Sequence, residues 1–136
     1  MKTKILIAVF TLFTFTQISF AQKIKIKNEI ATVDGVEFLK IKKDKSDKVI
    51  TNLNDKELIF IRIFADTRPS APQYSTYHKL IFIGLNKTIE IKESDKNIIE
   101  ILYKNKAIDE NGNLNDDAIS LLVEKYGNEI SPQINN

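Results

Sequence analysis

Asp66, Arg68, Tyr74, Tyr77 and His78 bring a carboxylate, a guanidinium, two phenols and the chain's single imidazole into one short segment. Tyrosine and arginine combine broad contact area with directional hydrogen bonding, which suits recognition of a protein or a sugar. Pro69 and Pro72 forbid ladder bonding here, so the segment reads as a loop held by flanking strands. Such loops commonly carry recognition. Arg68, Tyr74, Tyr77 and His78 are therefore the candidate binding residues. A structural role competes with this one: a tyrosine ahead of a strand often packs its ring on the sheet's end, and a lone histidine often serves as a hydrogen-bonding residue of the fold.

Catalytic groupings are scarce. No cysteine exists to act as nucleophile or metal ligand, and one histidine leaves no basis for a zinc site. Serine hydrolysis needs a nucleophile on a defined turn with a base and an orienting acid, and neither G-x-S-x-G nor S-x-x-K occurs. Four widely separated glycines form no phosphate-cradling loop. No cofactor is expected. The stretch Asp109-Glu110-Asn111-Gly112-Asn113-Leu114-Asn115 invites comparison with a calcium loop, but with Gly112 as its sixth residue the first and twelfth ligands fall on Ala107 and Ala118. It reads more simply as a turn between helices. Asn86-Lys87-Thr88 formally matches a glycosylation sequon and is better taken as a tight turn.

The elements around these residues follow from periodicity. Lys23 to Lys27 alternates polar and apolar residues, as a half-buried strand does. Ile30 to Val33 and Val36 to Ile41 flank Asp34-Gly35, a type I′ hairpin pair, in a register that sets Ile30 against Leu39 and Ala31 against Phe38. Lys42 to Lys48 is taken as a solvated turn. Val49 to Leu53 and Glu57 to Ala65 form a second hairpin, whose second arm is apolar on both faces and so covered on both faces or central in the sheet. Arg62 interrupts that arm and must snorkel outward or meet an acid. His78 to Leu85 and Thr88 to Lys92 form a third hairpin around Asn86-Lys87.

After Lys92 the period becomes helical. Ser94 can cap a helix that carries Ile98, Ile101 and Leu102 on one side. Asn115 can cap a second, with Ile119, Leu122, Val123 and Tyr126 as its apolar stripe and Gly127 as its stop. The expected fold is α+β: an antiparallel meander of about six strands followed by a C-terminal two-helix hairpin packed on one sheet face.

The address is read from residues 1–21. Lys2 and Lys4 precede an apolar run from Ile5 to Phe15, and Ser19-Phe20-Ala21 supplies the small residues of a cleavage site before Gln22, the layout of a signal peptide. The run is too interrupted to serve as a spanning helix, so no transmembrane anchor is expected after cleavage. Removing 21 of the 136 residues leaves 115, read as a single domain over residues 22–127 and a flexible polar tail over residues 128–136. Lys2 and Lys4 account for two of the 20 basic residues, so the remainder sets 18 basic against 18 acidic groups. A neutral domain with only Arg62 and Arg68 as guanidinium donors lacks the field needed for nucleic acid. Without cysteine, stability rests on packing, and the attachment point of a bacterial lipoprotein is missing. The skew toward Ile, Lys and Asn, with a leader running into Ala-Gln, resembles exported proteins of low-GC Bacteroidota, a likeness of genome style that identifies no functional family.

These readings converge on a small exported, periplasmic or secreted, non-enzymatic module that binds an envelope or extracellular protein, a polysaccharide or a small ligand. A hydrolase working through carboxylates and His78, and a structural or assembly protein, are the competing expectations.

Overall fold

The computed structural model describes residues 21–131. The expected leader therefore lies outside the described residues except for Ala21, and so does the expected tail beyond Ser131. Seven strands form, where about six were expected: β1 (Ile24–Lys27), β2 (Ile30–Val33), β3 (Val36–Asp44), β4 (Asp47–Thr51), β5 (Glu57–Ala65), β6 (Thr76–Phe82) and β7 (Lys87–Ile91). They lie in sequence order in one antiparallel sheet. Helices α1 (Asp95–Lys104) and α2 (Asp116–Tyr126) follow.

Tight turns set this meander. Asp34 and Gly35 both take positive φ, as a type I′ hairpin requires, and Asn28 and Glu29 do the same between β1 and β2. Lys42 to Lys48 is not a solvated turn. β3 continues to Asp44 and β4 resumes at Asp47, so only Lys45 and Ser46 turn the chain, with Lys45 at φ 56°. The third hairpin is likewise shifted: β6 starts at Thr76 and ends at Phe82, and residues 83–86 make the turn.

Two bulges interrupt the ladders, and the first corrects the expected register. Ala31 pairs with Leu39 and Thr32 with Glu37, which leaves Phe38 as the extra residue. Ile30 consequently faces Lys40, not Leu39. The second bulge leaves Leu58 unpaired between Ile50↔Ile59 and Thr51↔Glu57. A bulge bends its strand and deepens the local twist. Here that curvature serves the core. α2 packs along β7 and α1 touches β1, so the sheet wraps the helix layer from one edge to the other.

The inner face of the sheet contributes Leu39, Ile41, Ile50, Ile59, Ile61, Leu80, Phe82, Ile89 and Ile91 to the core. Against them pack Ile98, Ile99 and Leu102 of α1 and Ala118, Ile119 and Leu122 of α2. Each fully buried aliphatic side chain stabilises the fold by about 1.5–3 kcal/mol relative to exposure. Ile101, Val123 and Tyr126, expected on the apolar stripes, are partly buried at the margins of this core. Both caps form as expected: Ser94 accepts from the Asn97 N–H at 3.2 Å, and Asn115 from the Ala118 N–H at 3.3 Å. β5 is central, but only Leu58, Ile59 and Ile61 are buried. Its last residues, Arg62 to Ala65, are exposed. Arg62 both extends outward and approaches Asp47, with Nε 4.0 Å from the carboxylate.

Asn52 locks the far end of the sheet. Its Oδ1 accepts the N–H groups of Asn54 and Lys56, both at 3.0 Å, while its amide donates to the Gly112 carbonyl at 3.0 Å. The connection between the helices is thereby tied to the β4–β5 turn. Within it, Asp109 Oδ1 accepts from Asn111 and Asn113 N–H at 2.9 Å, and Ile108 bridges Leu114. The calcium-loop resemblance dissolves into an Asx turn. Among the described residues no helix is long and apolar enough to cross a membrane.

Candidate functional site

The chain passes from β5 to β6 through residues 66–75. At this end of the sheet Ile63 pairs with His78, Phe64 with Tyr77 and Ala65 with Thr76. Successive strand residues point to opposite faces, so Tyr77 joins the outer face and His78 the helix face. Adjacent candidates are thus separated by the sheet itself.

On the outer face, Asp66 organises the loop. Its buried carboxylate receives Arg68 bidentately, from Nε at 2.9 Å and from the terminal nitrogen at 2.7 Å, and also takes the Arg68 backbone N–H at 3.1 Å. Lys92, just beyond β7, forms an ion pair with the second oxygen. Hydrogen bonding from Arg68, followed by that from Lys92, holds the Asp66 carboxyl far below the usual carboxylate range. Backbone bonds complete the turn: Asp66 N–H to the Ser75 carbonyl at 2.8 Å, Ala71 to Arg68 at 2.9 Å and Ser75 to Pro72 at 3.1 Å. The loop is long but not loose.

Tyr77 lies beneath this network, stacked on Phe64 with ring centroids 5.5 Å apart and planes at 23°. Burial, then the charges of Glu90 and Asp66, raises its phenol above the ordinary value and keeps it protonated at neutral pH. Glu90 sits across from Lys79 on the same face and is 2% exposed. One carboxylate oxygen accepts the N–H groups of Ile130 at 3.0 Å and Ser131 at 2.7 Å. The other lies 4.0 Å from the Lys79 ammonium and has no hydrogen bond. The Glu90 N–H donates to the Gly127 carbonyl at 2.8 Å. The beginning of the expected polar tail is therefore fastened over β7, and this covering buries Glu90.

His78 occupies a different environment. It is half-buried on the helix face near the start of α1, where Lys48 holds both oxygens of Asp95 at 2.7 and 2.8 Å. Burial, then the Lys48 charge, lowers the imidazole below its ordinary value, with Asp95 and the Glu93 backbone opposing. Its Nδ1 is buried without a hydrogen bond. The Glu93 backbone hydrogen-bonds the ring, while the nearby Asp95 carboxylate is already held by Lys48. Tyr74 stands away from all of this, 91% exposed with φ 63°.

No protein-family model, curated protein or solved structure matches the chain. What the site can do follows from its own side chains. Arg68 and Lys92 meet on the buried Asp66 carboxylate, with Tyr77 and Glu90 buried beside them, Tyr74 projects from the loop, and His78 lies behind the sheet. Among the described residues no cluster of three or more His, Asp or Glu side chains could hold a metal ion. Sequence reasoning missed Lys92 and Glu90. The alternation Thr88-Ile89-Glu90-Ile91-Lys92 correctly puts both on the face away from the helices, but the segment that covers Glu90 comes from 40 residues downstream. No local signal announces it.

Proposed function

We propose that this chain is an exported, non-enzymatic binding module that engages an envelope or extracellular protein through the 66–75 loop and the projecting ends of β5 and β6. One observation carries the reading: Phe64 and Tyr74 are exposed, at 39% and 91%, around a loop whose backbone is fixed by the Arg68 and Lys92 contacts to the buried Asp66 carboxylate. Aromatic side chains and arginine are the residues enriched at the energetic centres of protein interfaces. A surface already ordered before contact loses less conformational entropy on binding. Among the described residues the carboxylate beside His78 is that of Asp95, held by Lys48, and this gives the hydrolase alternative no comparable support.

The test is retention of a partner from the envelope fraction of the producing cells by immobilised protein. The proposal expects one discrete protein to be retained by the wild type and lost with Phe64→Ser plus Tyr74→Ala, in a variant whose circular dichroism is unchanged. Equal retention by both proteins, or none by either, contradicts it.

A further inference from the structure

A cleft of about 600 Å³ lies where the C-terminal end of α1 and the connection to α2 meet the bulge of β3. It is remote from the 66–75 loop, because the Asn52 turn and that loop lie at opposite ends of β5. Its size falls within the range of small-ligand sites. Phe38 and Tyr103 form one wall, in edge-to-face contact at 5.2 Å and 87°. Tyr103 keeps 38% of its surface exposed, so an aromatic ring is offered to the cleft without being free to collapse into it. A second cleft of about 290 Å³ shares Phe38, Asp109 and Glu110 with the first, which extends the groove toward Asn52.

The polar groups decide what such a groove can accept. Lys104 is paired with Glu100, and one oxygen of Asp109 is filled by two backbone N–H groups. The Lys106 ammonium and the Glu110 carboxylate have no partner among the described residues, and Gln22 contributes a buried amide oxygen with no hydrogen bond. The lining of the larger cleft sets two cations, Lys104 and Lys106, against two carboxylates, Asp109 and Glu110, so it carries no net charge to select a charged ligand. The groove needs a ligand that donates to Gln22 and Glu110, accepts from Lys106 and rests an apolar face on Tyr103. A sugar hydroxyl both donates and accepts, and a pyranose ring presents an apolar C–H face. The walls are preformed: the Asn52–Gly112 bond, the Asx turn at Asp109 and the Ile108–Leu114 bridge hold the connection in place.

We infer that this groove is a binding site for a neutral saccharide of two or more rings. The inference is independent of the loop surface, and neither stands or falls with the other. Its test is NMR titration of the purified protein with maltose, cellobiose and chitobiose, and with the dipeptide alanyl-alanine as a zwitterionic competitor in chemistry. The expected result is saturable shifts of the Tyr103, Lys106 and Glu110 amides with at least one disaccharide. Glu110→Ala, which breaks no hydrogen bond or ion pair among the described residues, should weaken that affinity by about 10-fold, whereas Lys45→Ala in the β3–β4 turn should leave it unchanged. Tyr103→Ala should weaken it further, with Phe38→Leu reporting how much of that loss comes from the ring contact. Saturation by alanyl-alanine alone, shifts located elsewhere, or no saturable binding of any disaccharide overturns the inference.

Discussion

Tyr77 and His78 are adjacent in the chain and lie on opposite faces of the sheet, Tyr77 stacked on Phe64 beneath the Asp66 network and His78 beside the start of α1. The polar loop faces one way, and the chain's single imidazole faces the other. Each side makes its own measurable claim.

The helix-face claim concerns pH. Burial and Lys48 depress the His78 pKa, so the folded state favours the neutral ring. A depressed folded value contributes stability that is present above the unfolded pKa, about 6.5, and is lost as pH falls through the folded one. Titration of the imidazole C–H signals should give a value below 6.5. Lys48→Met should raise it, because the repelling charge is removed and Asp95 is released. An unchanged or lower value in that variant contradicts the assignment.

The loop claim also has a sign. Hydrogen bonds from Arg68 and Lys92 depress Asp66, so its contribution is full above the unfolded carboxyl pKa, about 3.9, and declines as pH falls toward the folded value. Urea midpoints measured from pH 7 to pH 2 should therefore separate wild type from Asp66→Asn most widely above about pH 5 and converge in acid. A constant gap across the range would show that ionisation of Asp66 contributes nothing.

Glu90 should be a point of high sensitivity despite its place on the outer face. Glu90→Ala strips two backbone N–H groups of their acceptor and opens a void under the C-terminal segment, at an expected cost of about 2–4 kcal/mol by urea denaturation. Amide exchange at Ile130 and Ser131 should quicken in the same variant. A loss below about 0.5 kcal/mol, typical of an exposed surface substitution, would refute this role.

Much of the architecture was legible in the residues alone, and the exceptions share a cause. The Asp34-Gly35 pair and the spacing of Ile119 and Leu122 each report a local preference that the fold honours, and Lys23 to Lys27 does form a strand, though of its two isoleucines only Ile24 is buried. The bulges at Phe38 and Leu58 were not legible, since either strand could pair straight until the curled sheet had to reach around two helices. Lysines 42, 43 and 48 looked like a turn because their charge masked strand periodicity. In the candidate site, period-two alternation already implies that Tyr77 and His78 diverge once β6 begins at Thr76. Glu90, Lys92 and the Gly127–Ser131 cover depend on contacts between distant segments, and composition carries no trace of them.

The Asn52 lock predicts a local effect at the other end of the sheet. Asn52→Ala removes three hydrogen bonds and should cost about 2 kcal/mol, with faster amide exchange across residues 109–114. Gly112→Ala should cost about 1 kcal/mol or more, because φ there is 76° and a Cβ would stand 3.3 Å from Asn52. Exchange rates unaltered in both variants would mean that the connection is held by other contacts.

The most direct test of the binding role is photo-crosslinking in intact producing cells, with the crosslinking side chain placed at position 74 and, as control, at position 45. The account predicts one discrete protein adduct from position 74, abolished by Phe64→Ser, and none from position 45. No adduct from position 74, or the same adducts from both positions, would contradict it.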